Sequence, residues 1–133
     1  MDLQTVISRL ENADAPSRGL DALIAEVIGW RRREEVATDR TTGEKRVRTL
    51  WLVPAGDDFG RVPLYTSNLQ DAFELAHTIR PNHDGGCSWV GSKGTATVED
   101  GKYVKAATPA MALCVAALRS LEDTDLRLTD RSF

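Results

Sequence analysis

A chain of 133 residues with 41% apolar and 28% charged side chains is long enough for one domain with its own core, and it is too apolar to be disordered. A net charge of −3 argues against wholesale nucleic-acid binding, although it averages over an uneven distribution. Two cysteines without a C-x-x-C pattern exclude a disulfide scaffold, and no apolar run approaches the roughly 18 residues that span a bilayer.

The first segment places Leu3, Val6, Ile7 and Leu10 at helical spacing behind Asp2, a residue able to cap the free N–H groups of a first turn. Its start has neither the basic opening nor the apolar stretch of a signal peptide, so a cytoplasmic location is expected. After "ADAP", Ser17 starts a second helix with the stripe Leu20, Leu23, Ile24, Val27 and Ile28, and Gly29 is its left-handed terminator. A strand is predicted over 30–38 and a stronger one over 47–53, joined by a long "DRTTGEK" turn. "PAGDDFGRVP" reads as a loop. Ser67 with Gln70 matches a capping box before a helix whose face is Leu69, Ala72, Phe73, Ala76 and Ile79, ended by Pro81.

Strands follow at 87–91 and 95–99. Asp100-Gly101 signals a two-residue turn, which would set Glu99 against Lys102 and Val98 against Tyr103. Thr108 caps the last helix, and Pro109 occupies its first position, where a missing N–H costs nothing. Residues 109–118 are apolar on every side, the mark of a central buried helix, so Cys114 reads as a small buried hydrophobe. The predicted architecture is α+β: one α-β-α sandwich domain over 1–122, with a mainly antiparallel four-stranded sheet and helices on both faces. Residues 123–133 form a charged C-terminal tail.

Four features carry candidate chemistry. Residues 31–48 hold seven basic groups (Arg31, Arg32, Arg33, Arg40, Lys45, Arg46 and Arg48) and four acids, a net +3 against −6 in the rest of the chain. Such a hairpin could lie along a phosphate backbone or an acidic protein surface, but the intermixed acids weaken a phosphate footprint, and a solvated edge whose charges prevent aggregation is the simpler reading. "NHDGGC" brings His83, Asp84 and Cys87 into one loop, the residue types of a thiol nucleophile with its base or of a zinc site, but turn chemistry explains the same residues. Asp57-Asp58 could hold a divalent ion, and a surface loop explains them more simply. The glycine-rich stretches fit no nucleotide-binding pattern, and no cofactor or metal is expected. Trp51 and Trp89 read as anchors between sheet and helices, while Trp30, just before the arginine triplet, stays open between core and surface.

Taken together, Gly29-Trp30, "PLYTSNLQDAFEL", "CSW" and "AATPAMALCVAALRSL" resemble the phage ABA sandwich family over residues 2–121. The specific parts are Tyr65-Thr66-Ser67, Thr108-Pro109-Ala110 and Leu113-Cys114, all scaffold signals. The resemblance implies an α-β-α layered fold, a phage or prophage origin and a bacterial cytoplasm, and it supplies no catalytic residues. The basic hairpin and the "PNHDGGCSW" loop are longer than the family pattern, and insertions on a fixed scaffold often carry function. The expectation is a non-enzymatic accessory protein that binds a host macromolecule, such as a host defence complex. A nucleic-acid-binding hairpin is the alternative, a Cys87/His83 enzyme is a third, and an exposed hairpin edge leaves a homodimer open.

Overall fold

The computed structural model describes residues 2–82, 84–99 and 101–131, the last nine of these by backbone alone. Among the described residues four helices, α1 (Leu3–Asn12), α2 (Arg18–Val27), α3 (Leu69–Ile79) and α4 (Pro109–Arg131), combine with six strands: β1 (Arg31–Thr38), β2 (Lys45–Leu52), β3 (Phe59–Gly60), β4 (Gly85–Val90), β5 (Lys93–Val98) and β6 (Val104–Ala106). The α+β class holds. The backbone of α4 continues to Arg131, into the segment read as a tail.

Helix α4 organises the core. Residues 110–118 are all buried, as expected from their unbroken apolar run, with Met111, Val115 and Leu118 fully enclosed. One side of α4 packs on β4, β5 and β6, and its flanks meet α1 and α3. The Thr108 hydroxyl caps it by accepting the Met111 N–H at 3.1 Å. Asp2 caps α1 through Thr5 N–H at 2.8 Å, and Ser17 caps α2 through Leu20 N–H at 3.1 Å. Gly29 takes φ +108° after α2, a conformation that a side chain disfavours.

The sheet departs from expectation. Instead of one four-stranded sheet there are two antiparallel three-stranded sheets, β1-β2-β3 and β4-β5-β6. Five consecutive charges, 31–35, occupy the outer strand β1 and blunt its edge against further pairing. Helices do not cover both faces of the second sheet either: its packing partners are α4 and α1. Gly94, Ala96, Val98, Val104 and Ala106 face α4 and are buried, whereas the alternate positions Ser88, Lys93 and Lys105 are exposed. A sheet with one polar face needs only one apolar cover.

Three local expectations shift. The cap of α3 is Asn68, not Ser67: its side chain accepts Asp71 N–H at 3.0 Å, while the Asp71 carboxylate accepts Leu64 N–H at 2.7 Å and fixes the entering loop. The buried side of α3 is Ala72 and Leu75, with Leu69 and Phe73 exposed. In the β5–β6 hairpin Thr95 pairs with Lys105 and Ala96 with Val104, one residue away from the register that a two-residue turn requires. Glu99 enters the left-handed region at φ +56°, and Gly101 N–H donates to Val98 C=O at 3.1 Å, so an extra residue is accommodated in the turn. Asp100 itself lies outside the described residues.

The loop between β3 and α3 is tied down by a buried polar knot. Asp21, 1% exposed, accepts from Thr66 N–H at 2.8 Å and from the Thr66 hydroxyl at 2.7 Å. Arg18 donates to the other Asp21 oxygen at 2.9 Å and to the carbonyls of Val62 and Pro63. Thr66 C=O in turn accepts from Thr108, and Tyr65 C=O from the Cys114 thiol at 3.3 Å. Thus "YTS" and "TPA" are neighbours in space, joined by side-chain bonds at the start of α4.

Burial pushes the Cys114 thiol far up, and it pushes the Tyr65 phenol up to about 12. Cys114 therefore stays a protonated, enclosed thiol at neutral pH, as its sequence setting suggested. In dilute native protein a thiol-titrating reagent is expected to react with Cys87 alone, and with Cys114 only after denaturation. Rapid labelling of both cysteines in the native state would contradict this packing.

Candidate partner-binding hairpin

The β1–β2 hairpin is the most exposed part of the fold. Eight residues per strand carry it about 27 Å from end to end. It is anchored at its base, where Trp51 and Leu52 are half buried and β1 touches α2. Trp30, left open by the sequence, belongs to this anchor: its ring lies against Gly60 of β3, where a Cβ would come within 3.2 Å of it. Trp51 also packs against the core. Trp89 does not; it is 68% exposed on the edge strand β4.

Cross-strand partners share a face, so the register sorts the seven basic residues. Arg31, Arg33, Arg46 and Arg48 lie on one face with a single carboxylate, Glu35. Arg32 and Lys45 lie on the other with Glu34, Thr38 and the directly opposed pair Val36–Val47. Arg40 sits in the turn, where Asp39 C=O accepts Gly43 N–H and the Asp39 carboxylate accepts Thr41 N–H at 2.8 Å. That bond holds the Asp39 carboxyl below its ordinary range.

Glu35 stands between two arginines, 3.6 Å from Arg48 and 4.0 Å from Arg33. Arg31 pairs with Asp57 at 3.5 Å and donates to Gly56 C=O, which gives the "GDD" loop a structural role. All these pairs are solvent-exposed and worth at most about 1 kcal/mol each, so the arginines remain available to a stronger anionic partner. Among the described residues Arg32, Arg40, Lys45 and Arg46 form no ion pair.

His83 lies outside the described residues, and the His83/Cys87 pairing lies outside them with it. Cys87 is half buried opposite Ala96. It lines a cavity of about 140 Å³ together with Phe73, His77, Arg80, Asp84 and Gly85. His77 of α3 thus shares a cavity with the thiol. Its ring stacks on Phe73 with centroids 6.1 Å apart. Arg80 is held by Glu99 at 3.0 Å and by Ser120 C=O at 2.6 Å. Among the described residues no group of three or more His, Cys, Asp or Glu side chains is arranged to hold a metal ion, and no helix is long and apolar enough to cross a membrane. Comparison with family models, with curated proteins and with solved structures finds no match for this chain.

Proposed function

We propose that this protein is a non-enzymatic binding protein that uses its projecting basic hairpin to engage an acidic surface on a partner protein. The observation that carries this reading is the alignment of Arg31, Arg33, Arg46 and Arg48 on one exposed face of a two-stranded ribbon. A protein partner is favoured over a phosphate backbone by what accompanies the arginines. Glu34, Glu35, Asp39 and Glu44 are interspersed with them, and Val36 and Val47, 65% and 66% exposed, form an apolar pair on the opposite face. Mixed charge around exposed apolar side chains suits a protein interface, whereas a phosphate track is served by basic groups alone.

The resemblance to phage ABA sandwich domains supports a phage or prophage accessory role in a bacterial cytoplasm, with a layered scaffold beneath the hairpin. A host protein complex, such as a defence complex, is then the natural target. The −6 carried by the rest of the chain could also stand in for phosphates in such a complex.

Nucleic acid is the second reading, favoured by one observation: a two-stranded ribbon fits the major groove. Both are tested with one set of variants. Changing Arg31, Arg33, Arg46 and Arg48 together to glutamine is expected to slow association with the captured partner by roughly tenfold or more, while Arg32→Gln with Lys45→Gln has a smaller effect. Capture unaffected by the four-arginine variant would overturn the proposal. Duplex DNA binding that weakens steeply with salt and disappears in that variant would replace it with the second reading.

A further inference from the structure

Among the described residues, strand β4 is an edge without the usual protection. Residues 85–90, "GGCSWV", contain no charge and no proline, in contrast to the charged outer strand β1. Beside it stand large exposed apolar groups: Trp89 at 68%, Val90 at 83% and, from α3, Phe73 at 54%.

The direction of the free backbone groups follows from the ladder. Glu99 N–H donates to Asp84 C=O at 2.9 Å, in register with the β4–β5 pairing. Hydrogen-bonded and non-bonded pairs alternate along an antiparallel ladder, so Gly86, Ser88 and Val90 bond inward to β5. Gly85, Cys87 and Trp89 then aim their N–H and C=O groups outward. These three residues pair with Val98, Ala96 and Gly94, all buried beneath α4, so their side-chain positions lie on the helix-covered side.

We infer that β4 pairs with β4 of a second copy of this chain, antiparallel about a two-fold axis through Cys87. The strand is complementary to itself only in this sense: small residues occupy its first half and large ones its second. With Cys87 opposite Cys87 of the second copy, Trp89 falls opposite Gly85, and each indole meets a residue without a side chain. Gly85 also lines the 140 Å³ cavity with Phe73 and His77, a space of the size that takes one aromatic ring. The second copy's indole fills it and covers Phe73. The two aromatic rings contribute roughly 250 Å² per copy. Five paired residues in each copy, 85–89, bring the total near the about 1,000 Å² at which specific interfaces begin, so the dimer is weak and concentration-dependent.

The geometry supplies its own probe. Directly opposed hydrogen-bonded residues have Cα atoms about 5.5 Å apart, within the roughly 4.4–6.8 Å that a disulfide spans. Diamide takes up the two thiol hydrogens as an S–S bond forms between the Cys87 sulfurs, and it is expected to convert the full-length protein to a covalent dimer. Cys87→Ser should abolish that product. Sedimentation velocity should show a dimer at about 100 μM, lost in Trp89→Lys, a substitution at an exposed site, and unchanged when the hairpin arginines are replaced. A monomer at every concentration up to the millimolar range, a dimer untouched by Trp89→Lys, or a diamide product that persists in Cys87→Ser would each overturn the inference.

Discussion

Replacing Asp21 with alanine is expected to destabilise the fold by about 3 kcal/mol or more, lowering the melting temperature by roughly 10 °C. The carboxylate is enclosed, and both of its oxygens are used. Its removal leaves the buried Thr66 N–H without an acceptor, a loss of about 1–3 kcal/mol by itself. The Thr66 hydroxyl retains only the weaker alternative of Ser17 C=O at 3.2 Å. Arg18, half exposed, can turn to water, so its released charge adds little. Asp21→Asn keeps one acceptor and should lose less than the alanine variant. Asp14→Ala, at an exposed position, serves as the control. Denaturant midpoints check the order. An alanine variant within about 0.5 kcal/mol of the wild type would show that the knot does not hold the loop.

Asp21 also shows where sequence reasoning stops short. It sits between Leu20 and Ile24 on the buried side of an amphipathic helix, and a carboxylate there needs a partner. That is the signal the chain offers. Its partner Thr66, forty-five residues away, stands out in the sequence only as part of a family-like motif. Features set by neighbouring residues are legible: the caps at Asp2, Ser17 and Thr108, the terminator Gly29, and the all-round burial of α4.

Features set by competition or by distant pairing are not. Ser67 and Asn68 are both good caps, and the Asp71–Leu64 bond helps to decide between them. The hairpins could have joined into one sheet, and nothing local forbids it. The basic cluster is visible as composition, but its division into an arginine face and a mixed face depends on the register across a six-residue turn. Trp51 and Trp89 look alike in the chain, yet one packs against the core and the other stands on an open edge.

Gly94→Ala is expected to be as damaging as the loss of Asp21, by about 3 kcal/mol or more. A Cβ at Gly94 would lie 2.3 Å from both Cα and N of Pro109 and 2.5 Å from the Thr108 carbonyl carbon. All three are backbone atoms, so no side-chain rotation relieves the clash. The first turn of α4 would have to withdraw from β5. That movement pulls on the Thr108 cap and on its 3.3 Å bond to Thr66 C=O, and so strains the Asp21 knot as well. At Gly86, in the neighbouring strand, an added methyl would meet nothing within 4 Å, and Gly86→Ala should stay within about 0.5 kcal/mol of the wild type. Because the clash and the knot act on the same helix start, the double variant Gly94→Ala with Asp21→Ala should lose less than the two separate losses combined. Full additivity in denaturant titrations would show that β5 and the "YTS" loop hold α4 independently. A Gly94→Ala protein as stable as the Gly86→Ala control would show that the helix start has room to move.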